Sequence, residues 1–258
     1  MITSPQNSRI KTIKHLQNRT KAREEENAFV IEGLRLIEEA QLYGWDPELV
    51  IYTSALDERG KQLLDNYRKK AVPVLQVTEE VMGAASDTHT PQGLLAVLPL
   101  HKQPRPDKLD FVIIADQIRD PGNLGTLMRT ALAAGVDLVL MPPGTADPHS
   151  PKVVRSGMGA HFQLPVAKIP WEEIKEQLQG LTLYAADAGG GTDYTEADLT
   201  LPLALIIGGE ARGSEDETLK RADQILHIPL PGAVESLNAA VAGGILIFEV
   251  VRQRRRIS

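Results

Sequence analysis

Apolar and polar positions along this chain alternate between two periods. Phe111-Val112-Ile113-Ile114-Ala115 is a continuous apolar run, the signature of a buried strand. It turns through Asp120-Pro121-Gly122 into a stretch where Leu124, Leu127, Met128, Ala131 and Leu132 recur at helical spacing. Asn123 stands at the turn, where a helix N-cap is expected. Arg129 falls roughly 130° from the middle of the apolar stripe at about 100° per residue, and so points away from the core. The same reading predicts strands at 111–115, 136–141, 163–168, 181–186, 203–208 and 225–228. Helices are predicted at 123–134, 151–159, 171–179, 215–221 and 236–251. Strands that are apolar without alternation fit a parallel sheet covered on both faces. The last helix is apolar almost all round and carries Gly243-Gly244 in its middle, which predicts close approach of another element.

Residues 9–98 alternate as well. A basic helix is expected at 9–20, helices at 34–42 and 56–70, and strands at 29–31, 49–52, 72–77 and 93–98, with Thr78 capping a short helix. Three prolines among charged residues at 99–107 read as an extended linker. The expected organisation is an α/β chain with a small N-terminal α/β domain at 1–99, a linker at 100–109 and a C-terminal parallel-sheet domain at 110–258.

Composition narrows the chemistry. At 258 residues and 42% hydrophobic, the chain can build a sizeable core, and at 4% aromatic that core rests on Leu, Ile, Val and Ala. With no cysteine there is no disulfide framework, thiolate metal site or Cys nucleophile, which fits a reducing cytoplasmic setting. The N-terminal residues lack the apolar stretch of a signal peptide, and no apolar run reaches membrane-spanning length. Six histidines show no metal-ligand spacing, so no metal is expected. The net charge is -6, yet Arg9, Lys11, Lys14, Arg19, Lys21 and Arg23 occur with no acid between them. Arg252, Arg254, Arg255 and Arg256 form a second cluster near the C-terminus. Basic patches on an acidic protein can still bind phosphate backbones.

Two further stretches carry candidate chemistry. The strand Leu203–Ile207 runs into Gly208-Gly209-Glu210, two glycines that permit close backbone approach and an acid at a strand end. Ile228-Pro229-Leu230-Pro231-Gly232 leads through Ser236 and Asn238, both good cap residues, into the last helix. No Walker loop, Gly-x-Ser-x-Gly elbow or complete Gly-x-Gly-x-x-Gly is present. A dehydrogenase reading therefore lacks its glycine fingerprint and ribose-binding acid.

Together the three stretches resemble the three motifs of the SpoU (TrmH-like) RNA 2′-O-ribose methyltransferases of the SPOUT superfamily. The residues concerned are Asp116, Asp120 to Asn123, Gly125 and Arg129 in the first, Ile207 to Glu210 and Gly213 in the second, and Ile228, Pro229, Gly232, Ser236 and Asn238 in the third. Leu230 and Ala239 stand where the family often has Met and Val. The N-terminal part, with Asn7 to Lys11 and Phe29 to Gly33, resembles a ribosomal-protein-like RNA-binding domain found in many members, and Gly144 to Arg155 resembles another segment of the two-domain enzymes.

The resemblance implies a trefoil knot in the C-terminal domain, a homodimer formed through it, and S-adenosyl-L-methionine as cofactor. It implies transfer of a methyl group to a ribose 2′-hydroxyl, with ribosomal RNA favoured over transfer RNA. Arg129, Asn123, Glu210, Ser236 and Asn238 would be the catalytic set. Leu205, Gly208, Gly209, Ile228, Leu230 and Leu237 would hold the cofactor. Arg9, Lys11, Lys14, Arg19, Lys21, Arg23 and Arg155 would contact RNA. Two alternatives stay open: a non-catalytic RNA-binding protein that keeps the fold, and a transfer RNA methyltransferase.

Overall fold

The computed structural model describes residues 1–101, 103–209 and 216–255. The chain divides into two compact units. The first comprises residues 1–101 together with 149–162, and the second comprises 102–148 and 163–258.

The first unit runs α1 (Ser8–Asn18), α2 (Thr20–Glu25), β1 (Ala28–Glu32), α3 (Leu34–Leu42), β2 (Leu49–Tyr52), α4 (Glu58–Lys69), β3 (Val74–Gln76), α5 (Glu79–Ala85) and β4 (Leu94–Pro99). Its sheet has the order β1-β4-β2-β3, with β4 antiparallel to both neighbours and β2 parallel to β3. Alternate residues of a strand face opposite ways. Phe29 and Ile31 therefore join Ile37, Leu64 and Tyr67 on one face, while Ala28 and Val30 join Ile10, Ile13, Val81 and Met82 on the other. Both faces are covered, which is why every residue of β1 is buried. The basic N-terminal helix is not continuous. Arg19 adopts an extended conformation (φ -134°) and separates α1 from α2.

The second unit contains β5 (Phe111–Asp116), α6 (Pro121–Ala133) and β6 (Leu138–Met141). The crossover after β6 contributes α7 (Pro151–Gly157) to the first unit. The chain then resumes with β7 (Val166–Lys168), α8 (Trp171–Gln177), β8 (Thr182–Ala186), β9 (Thr192–Asp193), β10 (Leu203–Gly208), α9 (Asp216–Leu219), β11 (Gln224–His227) and α10 (Ala239–Arg254). The sheet is parallel throughout its described pairings, in the order β7-β6-β5-β10-β8-β11-β9. Val112, Ile114, Ala204 and Ile206 pack with Ile174 of α8 and with Leu178, its C-cap, on one face. Helix α10 packs against α6 and β10.

Two sequence expectations are corrected. The boundary at 110 keeps 149–162 in the C-terminal part, whereas that segment joins the first unit, with Val154 and Phe162 in the core beside Phe29 and Trp45. The N-cap of α6 is Asp120, not Asn123: the Asp120 carboxylate accepts from the Asn123 amide at 2.9 Å, and Pro121 occupies the first turn. Proline fixes φ at a helical value and lacks the N–H that the first turn cannot use, so the helix begins there.

Candidate active site

In the second unit, β10 lies at the centre of the sheet with β5 on one side and β8 on the other. The carboxyl ends of β8, β10 and β11 open into a cleft of about 430 Å³. Parallel α/β sheets place ligands at this end, where strand order departs from chain order. Here β10 is inserted between β5 and β8, which precede it in the chain.

One wall is the end of β10, with Ile207, Gly208 and Gly209. A Cβ at Gly209 would lie 2.3 Å from the Gln117 carbonyl oxygen, so only glycine lets this strand end meet the turn after β5. A second wall is the segment between β11 and α10, with Ile228, Leu230, Glu235, Ser236 and Leu237. A third is the turn after β8, with Ala186, Asp187, Ala188 and Gly189. Ala239 and Ala242 of α10 also line the cleft. The lining combines apolar side chains, glycine backbone and two carboxyl-bearing residues, Asp187 and Glu235. Such a lining suits a flat apolar ring carrying a cationic group.

Two loops at the rim are held by short tethers. The Asn123 Oδ1 accepts from the Asn238 Nδ2 at 2.9 Å. Asn238 is also the N-cap of α10, its own Oδ1 accepting from the amides of Ala240 (3.0 Å) and Val241 (3.2 Å). One side chain thus caps α10 and fastens it to the start of α6. The buried Asp116 carboxylate, 3% exposed at the end of β5, accepts from the Thr218 hydroxyl at 2.6 Å and anchors α9.

The expected cofactor residues Gly208, Gly209, Ile228, Leu230 and Leu237 all line this cleft. Leu205 does not: it sits mid-strand, 1% exposed and paired with Ile113 and Tyr184. Ile207, one strand period further on, reaches the opening instead. Of the expected catalytic set, Asn123 and Asn238 are in direct contact and Ser236 lines the cleft. Arg129 is exposed on α6 and is not part of the cleft wall. Glu210 lies outside the described residues.

Asp187, Ala188, Gly189, Glu235 and Thr218 are not among the site residues that the sequence predicts. For Asp187 to Gly189 a signal existed, because they follow directly on a predicted parallel strand. Nothing in the sequence separates Thr218 from its polar neighbours. Among the described residues no group of three or more His, Cys, Asp or Glu converges on a metal position.

The basic residues divide. Arg9, Lys11, Lys14, Arg19 and Lys21 are exposed, with Lys21 3.6 Å from Glu25. Arg23 is corrected from a surface contact to an internal one: it is 4% exposed and donates to the carbonyl oxygens of Leu16 and Gln17 and to the Thr20 hydroxyl. A cation at the carboxyl end of α1 satisfies carbonyls that have no helical partner. Arg155 is half-buried and pairs with Asp87 at 2.8 Å. Near the C-terminus, Arg252 pairs with Glu249, and Arg254 binds Asp110 and lies over the Phe111 ring, so both serve the fold. Arg256 lies outside the described residues.

A central parallel sheet, a glycine-edged cleft at its carboxyl ends and tethered loops around the rim define an α/β cofactor-binding domain. The family follows from comparison with known proteins. Residues 110–248 match the SpoU rRNA Methylase family, and residues 7–96 match the MRM3-like substrate binding domain. The chain belongs to the SpoU rRNA Methylase family. It is 35% identical over 253 residues to a 23S rRNA guanosine 2′-O-methyltransferase of Bacillus subtilis, covering 96% of this chain and 98% of that one. The AdoMet-bound rRNA methyltransferase of Sinorhizobium meliloti superposes with a TM-score of 0.86 at 31% identity, covering 97% of each chain. The SpoU methyltransferase AviRb of Streptomyces viridochromogenes, in complex with AdoMet, gives 0.86 at 27% identity, covering 98% of this chain and 99% of that one.

Proposed function

We propose that this protein transfers a methyl group from S-adenosylmethionine to a ribose 2′-hydroxyl of ribosomal RNA. The observation that carries the reading is the cleft where Gly208-Gly209 and the segment Ile228–Leu237 meet beside the Asn123–Asn238 bond. Its residues fit the cofactor: Ile207, Leu226 and Leu230 offer apolar surface for an adenine ring, and Asp187 and Glu235 offer charge to its cationic end. When bound, the cofactor supplies an electrophilic methyl on a sulfonium with a neutral leaving group.

The protein's own task is alignment and handling of a weakly acidic proton. The Asn238 amide holds Asn123 at the start of α6, which fixes the helix that carries Arg129. Arg129 orients the acceptor through an adjacent RNA phosphate and the ribose. A guanidinium stays protonated in proteins, so it orients the hydroxyl rather than taking its proton as a base. Ser236 completes the ribose side of the cleft. Exposed Arg9, Lys11, Lys14, Arg19 and Lys21 of the first unit supply phosphate contacts.

Three further features belong to this reading. The first is a trefoil knot made by the chain between β10 and α10, which the insertion of β10 among earlier strands supports. The second is a homodimer. Val241 is 52% exposed and Phe248 47% exposed, and with Ile245 they form one apolar stripe along α10 that a second copy would cover. The third is a cytoplasmic location, supported by the cysteine-free sequence and the RNA substrate.

Calorimetry with S-adenosylmethionine, followed by transfer of a labelled methyl to ribosomal RNA, tests the proposal. Binding and 2′-O-labelling are expected. Binding of RNA without the cofactor would leave the non-catalytic alternative, and labelling of transfer RNA alone would change the substrate. Mapping 2′-O-methyl positions in cells with and without the protein then identifies the nucleotide.

A further inference from the structure

The first unit holds a buried carboxylate that the mechanism does not use. Glu32 ends β1 and is 8% exposed. It accepts from the Ser86 hydroxyl at 2.7 Å, the Thr88 hydroxyl at 3.1 Å and the Gln92 amide at 2.9 Å. All three donors come from one loop, Ser86 to Gln92. The Thr88 amide also donates to the Ser86 hydroxyl oxygen at 3.0 Å, and the two hydroxyl oxygens lie 2.9 Å apart. Burying a carboxylate is expensive unless donors surround it, and here they all come from the same loop, so Glu32 tethers the loop at three points.

Gly33 sits at φ +98°, a conformation that favours glycine, and the Gln92 side-chain amide lies against it.

The tip so held is rich in hydrogen-bonding groups: His89, Thr90 and Gln92 are all exposed. Cations lie on the elements that adjoin it. Arg155 is tied to the loop through Asp87 at 2.8 Å. Exposed Arg35 lies in the first turn of α3, which starts just after Gly33. The loop begins where α5 ends, and α5 packs against α1, with the Gln17 Nε2 donating to the Ala85 carbonyl at 3.4 Å. That joins the loop to the helix bearing Lys11 and Lys14. Cations on adjoining elements, beside a tethered tip with an amide, a hydroxyl and an imidazole, fit the division of labour in RNA recognition. Cations position the backbone, and polar or ring side chains read unpaired bases.

We propose that the loop Ser86–Gln92 is a base-reading site for an unpaired segment of the RNA substrate, with His89, Thr90 and Gln92 making the contacts and Glu32 as the positioning residue. The proposal rests on the reading of the first unit as the RNA-binding one.

The test measures affinity for a full-length large-subunit ribosomal RNA transcript and for a scrambled transcript of equal length, each at several salt concentrations. Three proteins are compared: wild type, the triple variant H89A/T90A/Q92A, and K11A/K14A. The triple variant changes only exposed side chains, and its Tm is expected to match wild type. It should lose about tenfold of the preference for ribosomal over scrambled RNA while its salt dependence stays unchanged. K11A/K14A should weaken both RNAs alike and flatten the salt dependence, by about 0.7–0.9 in slope for each phosphate no longer neutralised. A triple variant that keeps the wild-type preference overturns the loop assignment. If K11A/K14A also binds both RNAs as wild type does, the RNA-binding reading of the first unit falls with it.

Discussion

Arg129 lies six residues after Asn123 on α6, and Asn123 is hydrogen-bonded across to the N-cap of α10. Replacing Arg129 with Ala should lower methyl transfer by about 10³-fold, in the range seen when one preorganised donor is removed. Cofactor affinity should hold, because Arg129 is not in the cleft wall. Single-turnover labelling beside calorimetry separates the two effects, and a loss of cofactor binding would contradict the assignment. Asn123→Ala and Asn238→Ala should be strongly non-additive, since each removes the same 2.9 Å bond. A double-mutant cycle on the methylation rate measures the coupling. In the first unit, burial chiefly, with Asp46 nearby, pushes the Tyr67 pKa up. The unfolded chain ionises that phenol near pH 10. Its contribution is therefore complete below pH 10 and is lost as pH rises toward the raised folded value. Tyr67→Phe should remove this part of the alkaline loss of stability. It should also cost about 1 kcal/mol at neutral pH through the bond to the Ile37 carbonyl. Unfolding measured across pH 8 to 11 checks both.

Among the elements, α10 shows why adjacent glycines differ. A Cβ on Gly243 would lie 2.6 Å from the Leu127 Cδ1 and 3.5 Å from the Ile207 Cγ2, in a helix contact with no slack. A Cβ on Gly244 would meet the Thr130 Cγ2 at an ordinary 3.8 Å. Gly243→Val is expected to destabilise by about 1–3 kcal/mol through overpacking. Gly244→Ala is expected to stabilise by up to about 1 kcal/mol from helix propensity. Denaturant unfolding of the two variants should move in opposite directions. The sequence predicts close approach at this pair without telling the two residues apart. It leaves the cap of α6 ambiguous for a local reason: Asp120 and Asn123 are both good caps, and the choice of Asp120 over the expected Asn123 follows from Pro121 opening the helix.

At the scale of the molecule, the first unit is not continuous in the chain. Phe162 packs against Trp45 with ring centroids 5.5 Å apart, and its carbonyl accepts from the Trp45 indole at 3.2 Å. Residues 1–101 expressed alone would leave this aromatic cluster open. They should show no cooperative thermal transition and should bind an apolar dye; a sharp transition like that of the full chain would refute this. The apolar stripe of α10 makes a second prediction. Phe248→Glu, on an exposed position, should leave the fold intact and shift the sedimenting species to half its mass.

Local chemistry made much of this protein legible. The runs 111–115 and 203–208 declared buried parallel strands because a strand covered on both faces must be apolar throughout. Gly208-Gly209 and Ser236 to Asn238 declared themselves through residue types that strand ends and helix starts require. Strand order is different in kind: helix–strand alternation is equally compatible with many orders, so the placement of β10 between β5 and β8 is fixed only by packing. The same holds for Arg23, whose charge reads as surface until the open carbonyls of α1 claim it, and for 149–162, whose apolar residues fit either unit by pattern alone. Side-chain type determines what each segment needs; only the assembled structure decides which partner meets the need, because partners far apart in sequence leave no periodic trace.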